Sequence, residues 1–129
     1  LGRLDICVNN AGIGRPGSLL SYSSDDIQAM LDVNCKAMVL VAQAAARVMV
    51  EQGRGVIVNL SSTFGKNGRA LNSVYSATKH IVEGFTKSTA VELAPKGVRV
   101  VAVGPTTGSW IRSSVVTCWP ASPSVASAR

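Results

Sequence analysis

The 129-residue sequence is poor in aromatic side chains, with two Phe, two Tyr and two Trp. That excludes a ladder of rings for stacking nucleobases and leaves the core to Ala, Val, Leu and Ile. Cysteine is scarce and odd in number. Cys7, Cys35 and Cys118 lie far apart and show neither a metal-ligand spacing nor a disulfide framework. No metal centre is expected, and a reducing, cytoplasmic setting is favoured. Long apolar runs are missing too. The longest, Ala37 to Val50, is broken by Gln43 and Arg47 and reads as a buried or interface helix, too short and too polar for a bilayer. No signal-peptide pattern precedes the first strand pattern, which follows Leu4 directly. Acidic residues are outnumbered 7 to 13, for a net charge of +6. The basic residues Arg47, Arg54, Lys66, Arg69, Lys87, Lys96 and Arg99 nevertheless stand singly. Without a basic run the excess reads as a solvated surface, and no nucleic-acid partner is expected.

What the chain does have is Tyr75-Ser-Ala-Thr-Lys79, with Ser62 thirteen residues upstream of Tyr75. On a helix Tyr75 and Lys79 stand at i and i+4, on one face. A phenol titrates near pH ~10 and is a poor acid or base at neutrality. An ammonium beside it favours the phenolate and lowers that value. A serine hydroxyl from another element can bond the substrate oxygen. The three together can move a proton on or off an alcohol or carbonyl oxygen. The pair alone is common by chance, and its bland reading is a packed Tyr beside a Lys whose stem lies along the helix.

The rest of the chain alternates strands and helices. Residues 5–10 read as a buried strand, ending in Asn9-Asn10-Ala11-Gly12. Ser23-Ser-Asp-Asp26 is a helix start, and Met30, Val33, Ala37, Leu40, Val41, Ala44 and Val48 recur at helical steps to about Gln52, with Gly53 as the stop. Gly55 to Leu60 is a second strand, apolar enough to be covered on both faces. A polar loop spans 64–72, Ser73 to Ala94 is a second long helix, and Val98 to Val103 is a third strand. The order βαβαβ predicts an α/β fold with a parallel sheet and flanking helices. Residues 113–129 show no period and are expected to be irregular.

Four motifs in register carry a family resemblance. They are Asp5 to Gly12, Leu31-Asp-Val-Asn34, Gly55 to Ser62 with Tyr75 to Lys79, and Val98 to Pro105. Over residues 1–112 the chain resembles the short-chain dehydrogenase/reductase family, in its shorter form. The resemblance implies a partial Rossmann-type parallel sheet and an oxidoreductase that uses NAD or NADP to interconvert an alcohol and a carbonyl. Tyr75 is then the acid/base. Lys79 tunes Tyr75 and meets the nicotinamide ribose. Ser62 orients the substrate oxygen, and Asn34, at a helix irregularity, holds a water. Asn10, Ala11, Gly12 and Pro105, with Tyr75 and Lys79, line the cofactor, while Asn9 braces the sheet through backbone bonds.

The family's first three strands and its glycine-rich phosphate loop have no counterpart, since Gly12-Ile-Gly14 reads as an ordinary turn. An isolated chain is therefore expected to be inactive, with the strand at Asp5 left as an unpaired edge. Val101 and Thr106 stand where the family usually has Asn and Gly. The two long helices, through Ala37–Val50 and the face of Val82, Phe85 and Thr89, imply a homodimer or homotetramer. Two other readings remain at this stage: a non-catalytic interaction module, and a basic nucleic-acid binder.

Overall fold

The computed structural model describes residues 2–105 and 116–119, the last four as backbone. The first strand, β1, is Ile6–Asn9. Helix α1, Ser24–Leu31, begins where Ser23 caps it, its hydroxyl accepting from the Asp26 N–H at 3.0 Å. A π-helical segment, Asp32–Ala37, follows without a break and leads into α2, Met38–Gln52. Strand β2 is Gly55–Leu60, a short 3₁₀ turn is Thr63–Gly65, and α3 is Ser73–Leu93. A second 3₁₀ turn, Ala94–Lys96, precedes β3, Val98–Val103. A fourth strand, β4, is Val116–Trp119.

The sheet order is β3-β2-β1-β4. β1, β2 and β3 are parallel, pairing Ile6 with Val56 and Gly55 with Val98. This is the expected α/β core, with β1 one residue shorter at each end. Two expectations need correcting. The 113–129 run contributes a strand, and β4 pairs antiparallel with β1, placing Cys118 opposite Cys7. The edge of β1 is therefore paired.

One face of the sheet is covered. Cys7, Ile57, Val98 and Val100 meet Ala42, Ala45 and Met49 of α2 and Leu93 of α3 in a single apolar cluster. The other face, with Ile6 and Val103 exposed, is not covered by any helix among the described residues. The buried stripe of the first helical run is Met30, Met38, Ala42, Ala45 and Met49, while Leu40 and Val48 point outward. The helical spacing holds, but it does not single out the buried stripe, because this helix is apolar on more than one side. Its extent agrees with the expected run from Ser23 to about Gln52, but it is longer than the apolar run Ala37–Val50 that read as too short for a bilayer. Ser24–Gln52 is 29 residues, enough by length and composition to cross a membrane. Its stripe lies against the sheet, as in the core helix of a globular domain.

Helix α2, and the 3₁₀ turn that continues α3, each end on glycine in the left-handed region. Gly53 has φ 71° and its N–H returns to Val50, while the Arg54 N–H reaches Met49. Gly97 has φ 80° and its N–H reaches Ala94. These are the favourable ways to satisfy the last carbonyls of a helix.

Candidate active site

The loops after β1, β2 and β3 gather at the carboxyl ends of the parallel strands, beside the first turns of α3. Tyr75 and Lys79 lie there on one face of α3, each 5% exposed. The Tyr75 ring stands edge-on to Phe64, centroids 5.8 Å apart at 85°. The Cα of Gly14, in the loop after β1, faces the other side of that ring; a Cβ there would lie 3.4 Å from Tyr75 Cδ2. Ser62 follows β2 and caps the 3₁₀ turn, its Oγ accepting from the Phe64 N–H at 3.2 Å. The Ser62 hydroxyl lies on the Tyr75 side of this turn and favours the ionised phenol.

Burial pushes the Tyr75 phenol above its ordinary range, and the Ser62 hydroxyl opposes that rise. The sequence pointed to Lys79 as the group that lowers it. The Lys79 ammonium instead lies 5.7 Å from the ring centroid and donates to the Leu60 carbonyl at 2.9 Å. Burial depresses the Lys79 ammonium, while the nearby Cys35 thiol acts in the opposite sense. Burial likewise raises the Cys35 thiol, with Lys79 opposing. Cys35, read from the sequence as a small core residue, is half-buried, and its Sγ lies 3.8 Å from the Thr78 carbonyl.

Asn34 falls within the π segment and is 2% exposed. Its amide pairs with the backbone of Ile13 as a neighbouring strand would. The Ile13 N–H donates to Oδ1 and Nδ2 donates to the Ile13 carbonyl, both at 2.8 Å. A third bond runs from Nδ2 to Thr78 Oγ1 at 3.1 Å. The side chain is thus committed to Ile13 and Thr78 and not to its own helix backbone.

Gly12 lies over both residues; a Cβ there would be 3.6 Å from Asn34 Oδ1 and from Lys79 Nζ. Asn10 and Ala11 are half-buried in the same loop. Pro105 follows Gly104, whose Cα abuts the backbone of Ser62. Thr106 and Thr107 lie outside the described residues. His80 is exposed.

Asn9 is paired in the sheet as expected, and its side chain braces it further, donating to the Met38 carbonyl at 3.5 Å. Its Nδ2 donates to Asn59 Oδ1 at 2.8 Å, and Asn59 Nδ2 donates to Thr86 Oγ1 at 2.9 Å. Ser61, next to Ser62, is buried and faces Gly65. Three residues that sequence reasoning passed over also shape the site. Ser76 Oγ donates to the Phe64 carbonyl at 2.7 Å, fixing the 3₁₀ turn to α3. Gly65 lets that turn approach, since a Cβ there would fall 2.9 Å from the Lys79 carbonyl. Thr78 is the third. Its signal was its place inside Tyr75-Ser-Ala-Thr-Lys79, three residues from Tyr75 and on nearly the same side of the helix.

A buried phenol and a buried ammonium thus share one helix face at the carboxyl ends of the parallel strands, where open α/β sheets bind ligands. A family profile described as short chain dehydrogenase matches residues 1–109. The chain belongs to the short-chain dehydrogenase family.

Among particular relatives, it is 44% identical over 104 residues to a 3-alpha-(or 20-beta)-hydroxysteroid dehydrogenase of Mycobacterium tuberculosis, covering 81% of this chain and 40% of that protein. It is equally 44% identical, over 103 residues, to a 3-oxoacyl-[acyl-carrier-protein] reductase of Synechocystis, covering 80% of this chain and 42% of the reductase. The solved structure of ElxO with NADP bound superposes with a TM-score of 0.80 at 39% identity, over 82% of this chain and 43% of ElxO. NAD+-bound xylitol dehydrogenase gives 0.79 at 34% identity, over 81% of this chain and 41% of the other. The chain therefore spans about two fifths of the length of the relatives it matches. The sheet and helices are those of the Rossmann-type fold of these enzymes.

Proposed function

We propose that residues 1–112 are the C-terminal part of a Rossmann-type domain in an NAD(P)-dependent oxidoreductase that interconverts an alcohol and a carbonyl. The observation that carries this is the burial of Tyr75 and Lys79 on one face of α3, where the parallel strands end and Ser62 follows β2. The residues fit a nicotinamide nucleoside. Gly12 permits close approach over Lys79. The Lys79 ammonium has three hydrogens and gives one to Leu60, leaving others for ribose hydroxyls. When bound, NAD or NADP supplies the hydride acceptor or donor. Tyr75 exchanges the proton on the substrate oxygen. The Ser62 hydroxyl holds that oxygen and stabilises charge on it. Asn34 fixes the loop carrying Gly12 and Gly14, and Asn10, Ala11 and Pro105 line the cofactor. The odd, unclustered cysteines support a cytoplasmic setting.

The names of its relatives suggest the substrates to try: hydroxysteroids, polyols and oxoacyl thioesters. An enzyme carrying these residues is expected to turn over at least one of them with NAD or NADP, read from the nicotinamide absorbance. No turnover with any pair would sink the proposal.

The same enzyme is proposed to assemble as a homodimer or homotetramer through α2 and α3. A groove of about 490 Å³ runs between them, lined by Ala42, Ala46, Val50, Phe85, Thr89 and Leu93. Val82, expected on that face, is instead buried within the chain. Exposed Leu40, Val48 and Val91 extend the apolar surface of these helices. Sedimentation at micromolar concentration is expected to give a dimer or larger, and a clean monomer would refute it.

A further inference from the structure

Thr78 stands between Tyr75 and Lys79 in the chain, and its hydroxyl bonds the backbone of the former and the side chain of Asn34. Its hydroxyl has a single hydrogen, which goes to the Tyr75 carbonyl at 2.7 Å. Taken alone that is a common back-bond of a helical threonine to its own preceding turn. The other side of the oxygen is what sets this residue apart. It accepts the second N–H of Asn34 at 3.1 Å. Thr78 is 0% and Asn34 2% exposed, so a water has little room to replace either partner.

The Asn34 amide has one acceptor and two donors. Its oxygen and one N–H are spent on the two backbone groups of Ile13, at 2.8 Å each. The remaining N–H goes to Thr78. One continuous set of bonds thus runs from the loop after β1, through the π segment, into the first turns of α3. The loop it fixes is the one whose Gly12 lies over the Lys79 ammonium and whose Gly14 lies against the Tyr75 ring.

The geometry points to Thr78 as a positioning residue: its hydroxyl anchors Asn34, and through it the Gly12–Gly14 loop, onto the helix that carries Tyr75 and Lys79. It touches neither substrate nor cofactor. It holds the wall that keeps the phenol and the ammonium buried and aimed. This rests on the oxidoreductase reading for its catalytic consequence, but the anchoring itself does not.

The test compares Thr78→Val, which keeps the shape and deletes the hydroxyl, with Thr78→Ser, which keeps the hydroxyl. Two readouts are taken on the enzyme carrying these residues. The first is hydrogen exchange at the Ile13 amide, which Asn34 protects. Exchange is expected to accelerate about tenfold or more in Thr78→Val and to stay near wild type in Thr78→Ser, because losing one anchor opens the loop locally. The second is kinetic. In Thr78→Val, kcat is expected to fall roughly 10- to 100-fold with substrate KM within about threefold, since sub-ångström misplacement costs rate more than binding. Thr78→Ser should restore kcat to within about threefold.

A threonine that merely back-bonds its own helix would leave Ile13 exchange unchanged, and that result overturns the proposal. Faster exchange with undiminished kcat overturns the catalytic part. Should Thr78→Val not fold, Thr78→Ala is read by the same two measures. If the wild-type enzyme shows no nicotinamide-dependent turnover, the oxidoreductase reading fails, while Ile13 exchange still decides the anchoring.

Discussion

Tyr75→Phe is expected to lower turnover by roughly 10²- to 10⁴-fold, the usual worth of a positioned acid/base, while leaving nicotinamide binding within about threefold. The substitution removes one oxygen and nothing else from the site. The edge-on contact with Phe64 and the packing on Gly14 belong to the ring, so the wall of the site stays in place. Lys79→Ala should damage both turnover and cofactor binding, because it takes away the buried ammonium. The direction of the Tyr75 shift also sets the expected pH dependence. Burial raises the phenol, so near neutrality it is protonated and ready to give its proton. Carbonyl reduction then needs no prior ionisation of Tyr75 and slows as pH climbs into the phenol range. Alcohol oxidation needs the phenolate and accelerates over the same interval. Steady-state rates in both directions across pH, with wild type and Tyr75→Phe side by side, test this. A Phe variant within tenfold of wild type would remove Tyr75 from the chemistry.

Gly97→Ala should be the most damaging single change to stability, for reasons remote from the chemistry. Gly97 has φ 80°, where L side chains are strained, and an added Cβ would collide with the Gly53 carbonyl oxygen. The obstacle is backbone, so no rotamer change relieves it. Moving it means parting the turns that end α2 and α3, and with them the first paired residues of β2 and β3, Gly55 and Val98. Strain and displacement together are expected to cost about 3 kcal/mol or more, a large share of the roughly 5–15 kcal/mol that holds a domain together. Gly84 is the control. It lies inside α3, and a methyl added there would meet nothing within 4 Å, so Gly84→Ala is expected to stabilise by about 0.5–1 kcal/mol. Denaturant midpoints separate the two. Equal midpoints for both variants would show that the Gly53–Gly97 contact has no consequence.

The parts of this fold that were legible in the sequence are those written locally. Helix starts and stops at Ser23, Gly53 and Gly97 are chemical marks on single residues, and β2 and β3 are short apolar runs between them. What stayed hidden depends on partners distant in the chain. Val116-Thr-Cys-Trp119 has strand-forming residues but no period long enough to show, and only its pairing with β1 makes it a strand. The inward face of α2 was not legible because Leu40 and Val48 are as apolar as the residues facing the sheet, so spacing alone could not choose between faces. In the site, Tyr75 and Lys79 were visible through helical spacing. The destination of the Lys79 ammonium was not, because the Leu60 carbonyl lies on another element, at the end of β2. Asn34 was visible as a motif residue, while its hold on Ile13 is a tertiary contact with no sequence mark.

The two buried amides of Asn9 and Asn59 stand directly opposite one another in the pairing of β1 with β2. The neighbouring residues on both strands are mostly interchangeable aliphatics, and a slip of two positions would put one valine or isoleucine where another had been. Apolar burial would hardly register the error. The amides would, since each would lose a partner where no water reaches, at about 1–3 kcal/mol apiece. They act as a vernier, an alignment mark cut into an otherwise uniform scale. The mark sits where alignment counts: Asn10 to Gly12 continue from one amide and Ser61 and Ser62 follow closely after the other. A two-residue slip would carry Ser62 roughly 6–7 Å along the sheet, beyond reach of Tyr75, in a fold whose outline would look the same.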